Sequence, residues 1–115
     1  MMNTETIFKK KNIAQFKLGK YSLSIDFNDE LSLMLSDSLV LYRNENLIAN
    51  WHYEEKSRNL EELINLVELP IDSVTFDEKS GMIIFLGDYK IEISKPEDDY
   101  EYLHVMSKEE GIYIY

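Results

Sequence analysis

The stretch YSLSIDFNDELSLML, residues 21–35, alternates apolar and polar side chains with a period of two. Tyr21, Leu23, Ile25 and Phe27 fall on one face, while Ser22, Ser24 and Asp26 fall on the other, as in a strand with one buried side. Asn28, Asp29 and Glu30 then make a short polar connection suited to a hairpin turn before LSLML resumes the pattern.

The same reading extends in both directions. LVLY from Leu39 and LIANWHY from Leu47, joined around the turn signal RNEN, continue an antiparallel meander that breaks at EEKSRN. Asn59 followed three residues later by Glu62 has the form of a helix cap with its reciprocal acid. Leu60, Leu63, Ile64 and Val67 then recur at helical spacing until Pro70 ends the element, predicting one short helix over about residues 60–68. Strand patterns return with IDSVTF, MIIFL and YKIEI, separated by DEKSG and by Gly87-Asp88.

Sliding the chain over itself by 58 residues, without a gap, pairs Ile13 with Ile71, Phe16 with Val74, Ile25 with Ile83, Phe27 with Phe85 and Leu33 with Ile91. The match is compatible with an internal duplication of units at about residues 13–42 and 71–100. The expected fold is therefore α+β, mainly antiparallel β: two similar β-meander units with one short helix between them, in a single domain over residues 1–115.

At 115 residues, 44% hydrophobic and 30% charged, the chain is long enough to bury a core and too apolar for disorder. With no cysteine it offers neither a disulfide framework nor a thiolate site or nucleophile, which suits a reducing compartment. No apolar run approaches membrane-spanning length, and in MMNTETIFKKKN the lysines follow a short apolar patch rather than precede a long one. These features read as a soluble cytoplasmic protein without a cleaved signal.

Charge is unevenly spread. Lys9, Lys10, Lys11, Lys17 and Lys20 against Glu5 make the first twenty residues +4, within a net charge of −10. The remainder repels phosphate backbones and anionic membranes and attracts cationic surfaces, so the partner expected is a basic protein rather than nucleic acid or a membrane.

The second unit, LPIDSVTFDEKSGMIIFLGDYKIEISKPEDDYEYLHV, resembles small bacterial domains found among the immunity proteins of contact-dependent and other polymorphic toxin systems. In those domains a strand, a D-x-x-G-like turn and a second hairpin lead into an acidic, aromatic segment ending near a Trp. Here the turn glycine is Gly81, the hairpin is Gly87-Asp88 and the acidic segment is Glu97 to Tyr102. Leu103 or His104 stands where the pattern has Trp, and Asn28-Asp29-Glu30 lacks the glycine of the matching turn. The resemblance implies neutralisation of a toxin by binding, with no catalytic residue to carry over.

Residue chemistry points the same way. His52 and His104 are isolated and fit no zinc-ligand pattern. His52 reads as an exposed strand histidine opposite Trp51 and Tyr53, and His104, near Asp98 and Asp99, is the one candidate general base. Gly19, Gly81, Gly87 and Gly111 each stand alone, so no phosphate-cradling loop is formed. In PEDDYEY, three consecutive acids behind a proline lack the spacing and central glycine of a calcium loop. No metal, cofactor or catalytic residue is expected.

Carboxylates steer a basic partner and tyrosines add rigid contact area with a polar tip. The partner-binding residues expected are Glu97, Asp98, Asp99, Tyr100, Glu101 and Tyr102, helped by Trp51 and Tyr53, with a nuclease toxin as the cognate partner. Two alternatives stay open. One is a self-associating β-module pairing through the carboxyl-terminal GIYIY as a homodimer; the other is a small enzyme using His104 and nearby acids.

Overall fold

Strands form where apolar and polar side chains alternate and also over the uniformly apolar run MIIFL. The computed structural model describes residues 2–98 and 100–115. In chain order it contains α1 (Thr4–Phe8), β1 (Ile13–Leu18), β2 (Leu23–Phe27), β3 (Leu31–Leu35), β4 (Ser38–Arg43), β5 (Asn46–His52) and a 3-10 helix (Leu60–Leu66). Then follow β6 (Ser73–Asp77), β7 (Gly81–Leu86), β8 (Tyr89–Ser94), β9 (Leu103–Ser107) and β10 (Gly111–Ile114). The fold is mainly antiparallel β within the α+β class, in two five-stranded sheets ordered β1-β2-β3-β9-β10 and β5-β4-β8-β7-β6.

The two inner faces share one core. Ile25, Leu33 and Val105 from the first sheet, and Leu41, Ile84 and Ile91 from the second, are fully buried within it. Each such side chain contributes about 1.5–3 kcal/mol by leaving water.

Each half of the chain lends a hairpin to the other half's sheet. The meander β1-β2-β3 is extended by β9-β10, and the meander β6-β7-β8 by β4-β5. The ladders correspond pair by pair: Leu33 faces Val105 as Ile91 faces Leu41, and Phe16 faces Ile25 as Val74 faces Ile84. Leu41 faces Ala49 as Val105 faces Tyr113. The isolated bridge between Asn12 and Pro70 joins two positions related by the same shift, and Lys10 and Glu68, also so related, both adopt left-handed backbone. The helices follow the exchange too, α1 packing on β6 and the 3-10 helix on β1 and β5.

Four expectations are corrected here. The first is the gapless match. The shift is 58 residues for β1/β6 and β3/β8 but 59 for β2/β7, so Ile25 corresponds to buried Ile84 and not to Ile83, which lies on the outer face. A one-residue difference in strand pairing exchanges the two faces, and MIIFL, apolar at every position, conceals it. The second is the extended meander: β3 and β4 lie in different sheets, so the chain crosses between layers at Ser36-Asp37 instead of continuing in one. A crossing this short suits sheets joined at a corner.

The third concerns the helix. It is a 3-10 turn, in which side chains three apart align, so Leu60, Leu63 and Leu66 share a face and Ile64 is left 73% exposed. Asn59 is left-handed and makes no cap; its side-chain amide donates to the Ile48 carbonyl at 3.1 Å. The helix α1 has no apolar stripe to announce it and is held by Asn3, whose side chain accepts from the Thr6 amide at 3.2 Å. The fourth is Tyr21, which belongs to the β1–β2 hairpin, 64% exposed, rather than to the buried face of β2.

Candidate functional site

The crossing at Ser36-Asp37 is the geometric centre of the candidate site. The equivalent crossing in the second half, between β8 and β9, runs over residues 95–102 and is six residues longer. The acidic, tyrosine-bearing segment is thus an insertion at a sheet-switching corner. It folds back on the shorter crossing: the Ser36 amide donates to the Tyr102 carbonyl at 3.0 Å. From the other side, the Tyr53 amide donates to the Asp37 carbonyl at 3.0 Å, which brings the end of β5 to the same place.

Asp37 is the buried charged residue among the described residues, 9% exposed. An isolated carboxylate at such depth is costly unless donors surround it. The Tyr100 hydroxyl donates to Asp37 Oδ1, pinning the inserted segment to the body of the protein across 63 residues of sequence. The Tyr100 phenol is driven well above its ordinary pKa, first by this hydrogen bond, then by burial and the charges of Asp37, Tyr53 and Asp98. The Tyr53 phenol is also raised, chiefly by the charge of Glu54, then by burial and a hydrogen bond to Glu54, with Asp37 adding and hydrogen bonding with Tyr100 opposing. Two phenols and three carboxylates therefore converge on one corner, and both phenols stay neutral and able to donate through the physiological range.

Of the residues expected from the sequence, Tyr53 and Tyr100 meet here, with Asp98 beside them and Glu97 and Glu101 exposed on the same segment. Asp99 lies outside the described residues. Trp51 and Tyr102 are corrected: they are 4% and 1% exposed and belong to the core. Trp51 shares the inward phase of β5 with Ala49, and the Tyr102 amide donates to the Tyr115 carbonyl at 2.8 Å. The Tyr102 hydroxyl has no hydrogen-bond partner among the described residues.

Sequence reasoning missed Asp37. Lying between LSLML and LVLY, it carries no local mark of burial, and its partners Tyr53 and Tyr100 come from other segments of the chain. Glu54, beside the Tyr53 ring, was likewise read as part of a break.

Both histidines are held by neighbouring groups. His52 Nδ1 accepts from the amides of Glu54 and Glu55, both at 3.1 Å, which places its proton on Nε2, and its ring stacks on Tyr53 with centroids 4.8 Å apart. His104 Nε2 lies 3.1 Å from Glu101 Oε2, so the carboxylate that reaches it is Glu101 rather than Asp98. Its strand neighbours are Met34 and Ile114. Among the described residues no three His, Asp or Glu side chains are grouped to hold a metal ion, and no helix is long and apolar enough to cross a membrane.

Residues 59–115 carry 14 acidic and 4 basic side chains, which is the whole of the net charge. The inserted segment therefore sits in the charged half of a fold whose other half is neutral. Comparison with protein families, with curated proteins and with solved structures finds no match to this chain.

Proposed function

We propose that this chain is an immunity protein that neutralises a cognate bacterial toxin, of the nuclease type, by stoichiometric binding in the cytoplasm. The observation that carries the reading is the convergence of Tyr53 and Tyr100 on buried Asp37, with Glu54 and Asp98 beside them and Glu97 and Glu101 exposed on the same segment. A loop anchored by a phenol–carboxylate bond keeps its shape before contact, so little ordering entropy is spent on binding. A nuclease cleft must be basic to hold nucleic acid, and carboxylates in a negative field steer toward such a cleft and pair with its Lys and Arg after contact.

The test is calorimetric and kinetic titration of the toxin domain encoded beside this gene. Asp98→Asn with Glu101→Gln should slow association severalfold at low salt and flatten the salt dependence. Affinity and salt slope equal to those of the unaltered protein would refute the reading.

A second reading rests on Ile112 and Ile114, 68% and 53% exposed on edge strand β10. Self-association through that edge would show as a concentration-dependent mass abolished by Ile112→Lys.

A further inference from the structure

Each sheet ends in two edge strands, and the edges of β1, β6 and β5 are all guarded. β1 has a bulge between Ile13 and Gln15 and carries Lys17 on its regular stretch, two devices that discourage a further strand. β6 is covered by α1, whose Thr4 hydroxyl donates to the Val74 carbonyl at 3.3 Å. β5 is closed by the segment that follows it. Asn50 exchanges backbone bonds with Arg58, at 3.1 and 2.9 Å, and the Ile48 carbonyl accepts from the Asn59 side chain at 3.1 Å.

β10 is the exception. It takes in the second half the place of β5 in the first, with Ile112 and Ile114 at the positions of Ile48 and Asn50. Leu103 and Tyr115 exchange both backbone bonds, at 3.3 and 2.9 Å. By the alternation of an antiparallel ladder, the N–H and C=O of Ile112 and Ile114 therefore point away from β9. Their equivalents in β5 meet Arg58 and Asn59, whereas these groups meet no hydrogen-bond partner among the described residues. The strand has no proline, charge or bulge, and both isoleucine side chains are exposed.

We infer that this edge pairs with the same edge of a second copy, β10 against β10, about a two-fold axis at Tyr113. The inference rests on self-association through this edge, the second reading of the function, and adds to it a symmetry and a register. The strand is its own complement. With Tyr113 opposite Tyr113, Ile112 of each copy lies opposite Ile114 of the other, and the outward N–H and C=O groups of both residues are all paired.

Charge separates this arrangement from its competitors. The paired stretch is uncharged in a chain of net charge −10, so it offers a charged segment no ion pair and offers a second copy apolar contact on both isoleucines. The Tyr102 amide donates to the Tyr115 carbonyl, which ties the acidic segment to the end of β10. Tyr115 lies opposite Gly111 of the other copy, so the two segments are held about 13 Å apart along the strands, beyond the screening length of about 10 Å. Moving the axis to Ile114 halves that distance, and moving it to Ile112 sets Glu110 opposite Ile114. Pairing of β10 with β1 of another copy would meet the bulge and Lys17, and would propagate instead of closing.

The test follows the full chain by sedimentation and amide hydrogen exchange between about 10 µM and about 1 mM. Mass should rise toward that of a dimer. Exchange at Ile112 and Ile114 should slow roughly tenfold with concentration, while that at Tyr113, already bonded to β9, changes little. Ile112→Lys should raise the dissociation constant roughly tenfold, and because the side chain is exposed the fold is kept. The chain has no cysteine, so a single introduced one reports the register. Tyr113→Cys sets two thiols across a non-hydrogen-bonded pair, with Cα atoms about 4.5 Å apart, and should cross-link on mild oxidation. Ile112→Cys, at about 7–8 Å on the diagonal, should not.

A monomer at every concentration would overturn the inference together with the self-association reading. A dimer that protects Ile112 and Ile114 but cross-links through Ile112→Cys and not through Tyr113→Cys would overturn the register and leave that reading standing. A dimer without protection of those amides, or their protection only when a toxin domain is added, would overturn both.

Discussion

Replacing Tyr100 by Phe removes one oxygen atom and tests the anchor of the inserted segment. The hydroxyl donates to Asp37 Oδ1, and Asp37 is 9% exposed. A hydrogen bond to a charged group contributes about 1.5–3 kcal/mol, and an orphaned buried carboxylate adds a desolvation penalty. Tyr100 itself is 40% exposed, so water replaces part of what is lost, and the net cost falls to about 1–2 kcal/mol. For a domain of this size that lowers the melting temperature by roughly 4–10 °C.

Asp37→Asn keeps the shape and an acceptor but removes the charge, and should cost about 1 kcal/mol. Because the two groups act on one bond, the double variant should cost less than the sum of the singles, with a coupling of about 1 kcal/mol. The assay is thermal and urea unfolding of all four proteins, with hydrogen exchange across residues 95–102. Additive effects, or unchanged exchange in that segment for Tyr100→Phe, would refute the anchoring role.

The remaining predictions bear on other parts of the fold. Tyr102→Phe removes a hydroxyl without a partner among the described residues, so it should leave stability equal or raise it by about 1 kcal/mol in urea unfolding and leave toxin affinity unchanged. Gly81→Ala places a Cβ 2.1 Å from the Ile93 carbonyl oxygen at φ +118°, and should cost about 3 kcal/mol. Gly87→Ala, at φ +58° with nothing within 4 Å, should cost about 1 kcal/mol in the same assay.

Spectrophotometric titration of the phenols should show several tyrosines, Tyr53, Tyr100, Tyr102 and Tyr115, ionising above the ordinary value, and the last of these transitions should disappear in Tyr100→Phe. The folded pKa of Tyr100 is raised, so its contribution is complete below pH 10 and is lost as pH climbs further. Leu66→Ala, at a fully buried position on the inward face of the 3-10 helix, should cost about 2–5 kcal/mol.

What the sequence alone determined is the part written in neighbouring residues. Alternation in YSLSIDF and YKIEI placed β2 and β8, paired turn residues placed the hairpins, and recurrence of the pattern pointed to two related units, because side-chain direction in a strand depends only on its parity. Composition settled the sign of the field. Tertiary structure alone decided which sheet each strand joined, since a two-residue crossing at Ser36-Asp37 and a meander share one local pattern.

It also decided the inward face of MIIFL, where every residue is apolar and only the partner strands choose, and the withdrawal of Trp51 and Tyr102 into the core. The pairing of Asp37 with Tyr100 belongs to the same class. Burial of a carboxylate depends on what folds over it, and what folds over Asp37 is a loop 63 residues away that no local pattern could connect to it.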